Sequence, residues 1–198
     1  MNAPPFLFAT PRLAVRALAA DEVPALQALL QANADFYLTV GGLPPGPDEA
    51  AELFAEQPPE HLGWTRHWVA GAFEPDGRLA GVLLIVADLG TPGCWHTALF
   101  LIDQPLRGSG AAAELHAAFE AWARREGARW LRLGVVVGNT RAERFWRRCG
   151  YTVLRTRPVE AADGSLRTTT AMLKCLGEAG VADYLERVPR DQPGSTLP

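Results

Sequence analysis

The chain has 198 residues, 48% of them hydrophobic and 21% charged, and its 19 basic and 22 acidic side chains leave a formal net charge of −3. This length suffices for one large domain that buries roughly 70% of its unfolded surface without disulfides or metal. The mild acidity argues against a nucleic-acid binder, which usually carries a clustered basic surplus. The three cysteines and four histidines lack disulfide or metal-ligand spacing, so we expect reduced thiols and no metal site.

Hydropathy argues against a membrane protein. The longest apolar run, Leu79 to Ala87, has nine residues, about half of what a membrane-spanning helix needs. The N-terminus lacks the positive and apolar regions of a secretion signal. We therefore expect a soluble, cytoplasmic protein that binds neither membrane nor nucleic acid. Residues 1–176 are predicted to form a single domain, and residues 177–198 a C-terminal tail that is partly disordered.

The first half of the chain predicts short elements of both kinds. A strand at Leu13 to Ala17 precedes a helix for which Asp21 is the predicted N-cap. The run from Gly41 to Pro47 has three glycines and three prolines, which predicts a loop. A short helix from Asp48 to Glu56 follows. Three strands come next, at Trp64 to Phe73, Leu79 to Ala87 and Cys94 to Ile102.

The second half alternates helices with strands. Gly110 to Arg125 repeats apolar residues at helical spacing, and Gly127 suits the left-handed turn after a helix. Trp130 to Val137 is almost continuously apolar, which is typical of a strand covered on both faces. Thr140 to Glu143 fits a capping box for a helix that Gly150 ends. Strands at Tyr151 to Val159 and Leu166 to Cys175 complete a predicted α/β fold, with a mixed, mostly antiparallel central sheet flanked by helices.

A glycine-containing loop, Arg107-Gly108-Ser109-Gly110-Ala111-Ala112, lies between a predicted strand and a predicted helix. Glycines let backbone N–H groups approach a ligand closely, and a helix N-terminus carries roughly half a positive charge that favours phosphate. The loop lacks the third glycine of a dinucleotide-binding fingerprint and the Gly-Lys-Ser/Thr of a Walker loop. Taken alone, it is either an anion site or a tight connection.

Together with a second motif downstream, this loop resembles the GNAT family, the GCN5-related N-acetyltransferases. The family's A motif, Q/R-x-x-G-x-G/A, is matched by Arg107, Gly110 and Ala112. Its B region, N-x-x-A-x-x-F-Y-x-x-x-G-F, is matched by Asn139, Ala142, Phe145 and Gly150, with Trp146 and Tyr151 in place of the family's Tyr and Phe. The motifs cover residues 100–151, and residues 13–175 agree in the order of strands and helices.

The resemblance implies that the chain takes acetyl-CoA as a co-substrate and has no metal. An amine of a small molecule or of a peptide end would attack the thioester directly, and the chain would be a monomer or homodimer. Backbone amides of the loop would hold the pyrophosphate, and the pantetheine arm would lie along the preceding strand. The implied cofactor-binding residues are Leu101, Ile102, Arg107, Gly108, Ser109, Gly110, Ala111, Ala112, Asn139, Ala142, Phe145 and Trp146.

The catalytic groups stay open at this point. In the resembled family a tyrosine usually protonates the leaving thiolate, but Trp146 stands at its position and an indole cannot act as that acid. Either Tyr37 or a water replaces it, or no acid is required, because a thiol of pKa about 8.5 is a fair leaving group. For the base, the family often has a carboxylate on the strand before the A motif. The only titratable base there is His96, which strand alternation places on the face of Ala98 and Phe100; a water chain is the alternative.

Two other functions are compatible with these residues. Trp146 and the missing carboxylate make a non-catalytic acyl-CoA-binding or regulatory module on the same fold a credible alternative, and a third possibility is an enzyme that uses a longer acyl-CoA. Phe36, Tyr37 and the loop from Gly41 to Pro47 are expected to cap the acceptor pocket. Four arginines either contact the CoA 3′-phosphate or form a solvated helix face: Arg141, Arg144, Arg147 and Arg148.

Overall fold

The computed structural model describes residues 5–161 and 163–197. Eight strands form one sheet: β1 (Phe6–Ala9), β2 (Ala14–Ala17), β3 (Arg66–Phe73), β4 (Leu79–Ala87), β5 (Cys94–Ile102), β6 (Trp130–Val136), β7 (Thr152–Glu160) and β8 (Leu166–Cys175). The described α-helices are α1 (Val23–Ala32), α2 (Ala34–Val40), α3 (Glu49–Ala55), α4 (Ala111–Arg125), α5 (Thr140–Arg148) and α6 (Val181–Arg187). The sheet order is β1-β2-β3-β4-β5-β6-β8-β7. Among these strands, β5 and β6 pair in parallel and the other six pairs are antiparallel. The predicted mixed α/β architecture is confirmed.

Local differences from the prediction occur where a polar side chain interrupts a helix or begins one. The helix predicted after Asp21 is divided into α1 and α2 by Asn33, whose buried amide donates to Leu29 O at 2.8 Å. At the start of α5 the N-cap is Asn139, whose side chain accepts from the Ala142 N–H at 3.1 Å. The capping box predicted at Thr140 is therefore wrong by one residue. The four-residue strand β1 was not predicted.

Helices cover both faces of the sheet. On one face, α4 packs Leu115, Phe119 and Trp122 against the β5 side chain Trp95. On the other, α1 packs Leu26 and Leu30 in one cluster with strand residues of β4 and β5. No helix among the described residues has the length and apolar character needed to cross a membrane.

The C-terminal segment is folded where the sequence predicted partial disorder from residue 177. Helix α6 buries Tyr184 completely, against Trp130 of β6 and Leu173 of β8. The Trp130 indole N–H donates to Gly180 O at 3.2 Å, which fixes the start of the helix. Asp191, just beyond α6, pairs with the buried Arg132 of β6. The expectation of disorder is therefore corrected for residues 181–191.

The two central strands diverge and one of them is bulged. β5 and β6 pair from Cys94 opposite Trp130 to Thr97 opposite Leu133, after which the described pairing ends. The pairing of β5 with β4 shifts register at Ala98, which marks a β-bulge. The bulge reverses the alternation of faces, because Trp95 and Phe100 lie in the α4 cluster although they are five residues apart. The prediction that His96 shares a face with Phe100 is therefore wrong: His96 lies opposite Val86, on the α1 face.

Candidate functional site

A cavity of about 560 Å³ lies where β5 and β6 diverge, bounded by α2, α4 and α5. Ten of the twelve residues predicted to bind a cofactor line it: Leu101, Ile102, Arg107, Gly108, Gly110, Ala112, Asn139, Ala142, Phe145 and Trp146. The two others point elsewhere. The Ser109 hydroxyl donates to Leu106 O at 2.7 Å and accepts from Arg12, and Ala111 is buried in the core. Two positions separated in sequence, the loop and the start of α5, thus meet at one cavity.

The loop before α4 presents backbone donors. Gly108 and Gly110 have φ angles of 82° and 89°, in the left-handed region that glycine adopts without strain. Within the described residues, the N–H groups of Gly108, Gly110 and Ala112 have no hydrogen-bond acceptor. They lie at the N-terminus of a 15-residue helix, whose dipole adds positive potential. This arrangement suits a phosphate group that approaches from the cavity.

Arg107 has a different role from its glycine neighbours. Its backbone N–H donates to Gln104 O at 3.0 Å, and its Nε donates to Ile102 O at 3.1 Å. The rest of the guanidinium binds Asn33 Oδ1 and the carboxylate of Asp35. The hydrogen bond from the Arg107 guanidinium to Asp35 is the largest cause of the lowered pKa of Asp35. Arg107 therefore fixes the start of α2 against the loop, and its own backbone N–H is already used within the loop.

The opposite wall of the cavity is aromatic. The rings of Phe145 and Trp146, on α5, lie 6.1 Å and 5.2 Å from the ring of Phe100 on β5. Trp146 is 8% exposed, so its indole belongs to the core and to the cavity wall at once. The arginine cluster on α5 is divided: Arg141 and Arg148 line the cavity, whereas Arg147 pairs with Glu143 at 2.8 Å on the exposed face.

Comparison with known proteins identifies the family to which this arrangement belongs. The family model described as "Acetyltransferase (GNAT) family" matches residues 26–151. The chain belongs to the GNAT acetyltransferase family. Its members are generally acyl-CoA-dependent N-acetyltransferases. No curated protein matches the chain.

Solved structures of GNAT proteins share the fold at low sequence identity. Spermidine N-acetyltransferase from Vibrio cholerae, in complex with CoA and spermine, is 17% identical, with 88% of this chain and 98% of that chain covered and a TM-score of 0.65. An acetyl transferase from Salmonella typhimurium that modifies the N-terminal serine of ribosomal protein L7/L12 is 17% identical, with 85% and 97% covered and a TM-score of 0.66. A GCN5-related N-acetyltransferase from Kribbella flavida is 24% identical, with 83% and 98% covered and a TM-score of 0.62.

Tyr37, a candidate acid for this GNAT protein, does not line the cavity. Its ring packs 5.6 Å from that of Phe36, in the cluster beneath α1. Burial, and secondarily the nearby carboxylate of Glu49, raise the pKa of Tyr37 well above its usual value. Phe36, in contrast, lines the cavity. The structure therefore brings Trp146 to the cavity and leaves Tyr37 outside it.

His96, the candidate base, is poorly suited to that role. Burial, and then the charges of Arg132 and Arg190, lower the pKa of His96 to about 3. The Arg132 Nη1 lies 3.4 Å from His96 Nδ1. Moving a proton from an ammonium of pKa about 10 to such a group is uphill by on the order of 10 kcal/mol. The expectation of a histidine that titrates near neutral pH is therefore corrected.

Some residues of this GNAT site carry no signal in the sequence. Asp35 and Thr39 of α2 line the cavity, and Asp35 binds Arg107 across a separation of 72 residues. Their spacing matches no motif, because α2 reaches the cavity only through the packing of the N-terminal helices. Arg141 and Arg148 were identified only as members of a basic cluster. Their separation by seven residues, two helical turns, is the signal that places them on one side of α5.

Proposed function

We propose that the chain is an acetyl-CoA-dependent N-acetyltransferase that acts on a primary amine of a small molecule or a peptide end. The observation that carries this proposal is a set of three N–H groups, of Gly108, Gly110 and Ala112, that have no acceptor among the described residues. All three residues line the cavity at the divergence of β5 and β6. Membership of the GNAT family supports it. Two proteins of similar fold, the spermidine N-acetyltransferase and the enzyme that modifies the N-terminal serine of L7/L12, support an amine acceptor.

The donor's three parts meet complementary groups of the chain. The loop N–H groups fit the pyrophosphate, and Arg141 and Arg148 supply positive charge at the cavity wall for the 3′-phosphate. Beyond Thr97 the β6-facing edge of β5 has no partner strand among the described residues. Its backbone groups are therefore available to the amides of the pantetheine arm, in the manner of an added strand. Phe100, Phe145 and Trp146 exclude water from the same space.

The proposed reaction is direct attack of the amine nitrogen on the thioester carbonyl. The C–N bond forms, the C–S bond breaks, CoA leaves as a thiolate, and the amine loses one proton to water. Trp146 cannot protonate the thiolate, and Tyr37 lies outside the cavity. A general acid typically contributes about 10²–10⁴ in rate, so we expect slower turnover than in relatives that have the tyrosine. The thiol's own pKa of about 8.5 makes departure without an acid feasible.

Release of CoA thiol tests the function. Purified protein with acetyl-CoA is assayed colorimetrically against polyamines, amino acids, aminoglycosides and peptides, with a reaction lacking acceptor as control. Acceptor-dependent thiol release and a product heavier by one acetyl group are expected. Binding of acetyl-CoA without thiol release for any acceptor would contradict the proposal and support the alternative of a non-catalytic acyl-CoA-binding module. Repeating the assay with propionyl-CoA and longer acyl-CoA donors tests the remaining alternative.

A pH profile tests the role of His96. Because the pKa of His96 lies near 3, the imidazole is neutral throughout the range from pH 6 to 9. We expect kcat/KM of the His96→Gln variant to keep the pH dependence of the wild type, with any loss in rate well below the roughly 10²-fold or more that removal of a general base causes. A wild-type limb with an apparent pKa of 6–7 that disappears in the variant would show that His96 is the base.

A further inference from the structure

A second cavity, of about 210 Å³, opens on the face of the sheet that α1 covers. His96 and Ala98 of β5 line it, and its apolar wall includes Leu84 and Val86 of β4. Its arginines come from three separate segments of the chain: Arg132 on β6, Arg157 on β7 and Arg190 beyond α6. Folding thus collects three guanidiniums around a space that is otherwise largely apolar.

Two of these three guanidiniums form no ion pair among the described residues. Arg132 is neutralised by Asp191, through Nε–Oδ2 at 2.6 Å and Nη2–Oδ1 at 2.9 Å. In the part of the chain that the structure describes, no ion pair includes Arg157 or Arg190. Arg190 Nε is buried and has no hydrogen-bond partner among those residues. Burial, followed by repulsion from Arg132, lowers the pKa of both Arg157 and Arg190.

The cavity carries a net charge of about one positive unit near pH 7, when its histidines and its acidic residue are counted with the arginines. His96 is neutral there because its pKa lies near 3, and burial also lowers the pKa of His67 on β3 despite an opposing effect of Glu56. Among the described residues that line the cavity, the acidic one is Glu56, which is exposed. Two unpaired guanidiniums against one carboxylate favour a ligand that carries a single negative charge.

The cavity is close to the site of the proposed reaction. Ala98 lines the second cavity and Phe100, two residues along β5, lines the first. Two residues of an extended strand span roughly 7 Å. Ala98 is exposed at the bulge, next to the point where β5 and β6 separate. A small molecule anchored in the second cavity can therefore direct its amine toward the divergence of β5 and β6.

We propose that Arg157 and Arg190 bind the carboxylate of the acceptor, which is thus an amino acid or a similarly small amine that carries one carboxylate. This inference rests on the proposed acetyltransferase function and specifies its substrate class. A guanidinium offers paired N–H donors that match both oxygens of a carboxylate. The apolar wall of Leu84 and Val86 suits a short aliphatic side chain. The net charge of the cavity favours a carboxylate over a phosphate dianion.

Matched acceptors test the substrate class. Each of the twenty common amino acids is compared with its decarboxylated amine and, for leucine and valine, with the aminophosphonate analogue. We expect kcat/KM for the best amino acid to exceed that for its amine at least tenfold. In the Arg157→Gln/Arg190→Gln double variant this preference should fall below threefold. The Arg125→Gln variant removes an exposed guanidinium at the end of α4, away from both cavities, and should retain the preference.

Binding measured without turnover separates the two proposals. Isothermal titration of the same amino acids and amines into CoA-saturated protein reports the carboxylate contact even if no acetyl group is transferred. Carboxylate-dependent binding that the double variant loses, without thiol release, supports the site and contradicts the acetyltransferase function. Turnover of amines with no preference for a carboxylate, or an equal preference for the aminophosphonate, overturns the inference and leaves the function standing. Absence of both binding and turnover overturns both.

Discussion

Replacement of Gly110 by aspartate is expected to abolish the thermal stabilisation that acetyl-CoA gives the wild-type protein. A ligand at 100 times its Kd stabilises the folded state by about 2.7 kcal/mol. For a chain of this length that corresponds to a rise in Tm of roughly 5–10 °C. An aspartate at the N-cap of α4 places a negative charge beside the N–H groups proposed to hold the pyrophosphate. Repulsion at a distance of about 4 Å is worth several kcal/mol, enough to weaken binding by on the order of 10²-fold or more.

The Gly110→Asn variant is the matched control, because it changes the same position without adding a charge. Asparagine and aspartate tolerate left-handed backbone better than other side chains do. A Cβ at Gly110 would meet Arg12 Nη2 at 3.7 Å, an ordinary contact, but the φ of 89° strains any side chain there. We expect both variants to fold with a similar loss of about 1–3 kcal/mol, so the comparison is made on the ligand-induced shift. Differential scanning fluorimetry with and without millimolar acetyl-CoA measures the effect. Equal ligand-induced shifts in wild type and Gly110→Asp would show that the loop does not bind the pyrophosphate.

The elements that the sequence predicted well are those whose pattern is set locally. β4 and β5 begin and end where predicted, because a run of apolar residues bounded by turn residues defines a strand without reference to its neighbours. The bulge at Ala98 has no such pattern. It arises from the pairing of β5 with β4, and a single extra residue reverses the faces of everything beyond it. The error in the orientation of His96 follows directly from this.

The candidate site also has one part that the local sequence predicts and another that depends on contacts between distant segments. The loop from Gly108 to Ala112 was predictable, since glycines before a helix have a local physical reason. The partners of Arg107, the position of Tyr37 and the arginines of the second cavity depend on contacts between distant segments, which one sequence does not reveal. The near-continuous apolar strand at Trp130 predicted cover on both faces, yet the helix that covers one of those faces, α6, lies in the segment predicted to be partly disordered. A strand predicted to be covered on both faces needs a covering segment, and this requirement was the signal in the sequence that the C-terminal segment folds.

Replacement of Asp191 by asparagine is expected to destabilise the protein more than any exposed substitution. The side chains of Arg132 and Asp191 are 6% and 2% exposed, so the ion pair lies in the core between β6 and the segment after α6. Removing one charge of a buried pair leaves the other uncompensated, which costs about 3–5 kcal/mol. In a domain of this size, Tm should fall by roughly 6–20 °C. Glu186→Gln, an exposed change on α6, should alter the free energy of unfolding by less than about 0.5 kcal/mol.

The pH dependence of unfolding distinguishes loss of this ion pair from loss of packing. Burial alone would raise the pKa of Asp191, but the hydrogen bonds and charge of Arg132 outweigh it and lower the pKa to about 2, from an ordinary value near 3.8. The unfolded chain therefore binds the proton more readily, so the stabilisation is present above pH 4 and is lost as the pH falls from about 4 toward 2. In urea unfolding, the difference between wild type and Asp191→Asn should narrow between pH 5 and pH 3. A difference that stays constant across this range would mean that asparagine disturbs the packing around Tyr184 rather than the charge on Asp191.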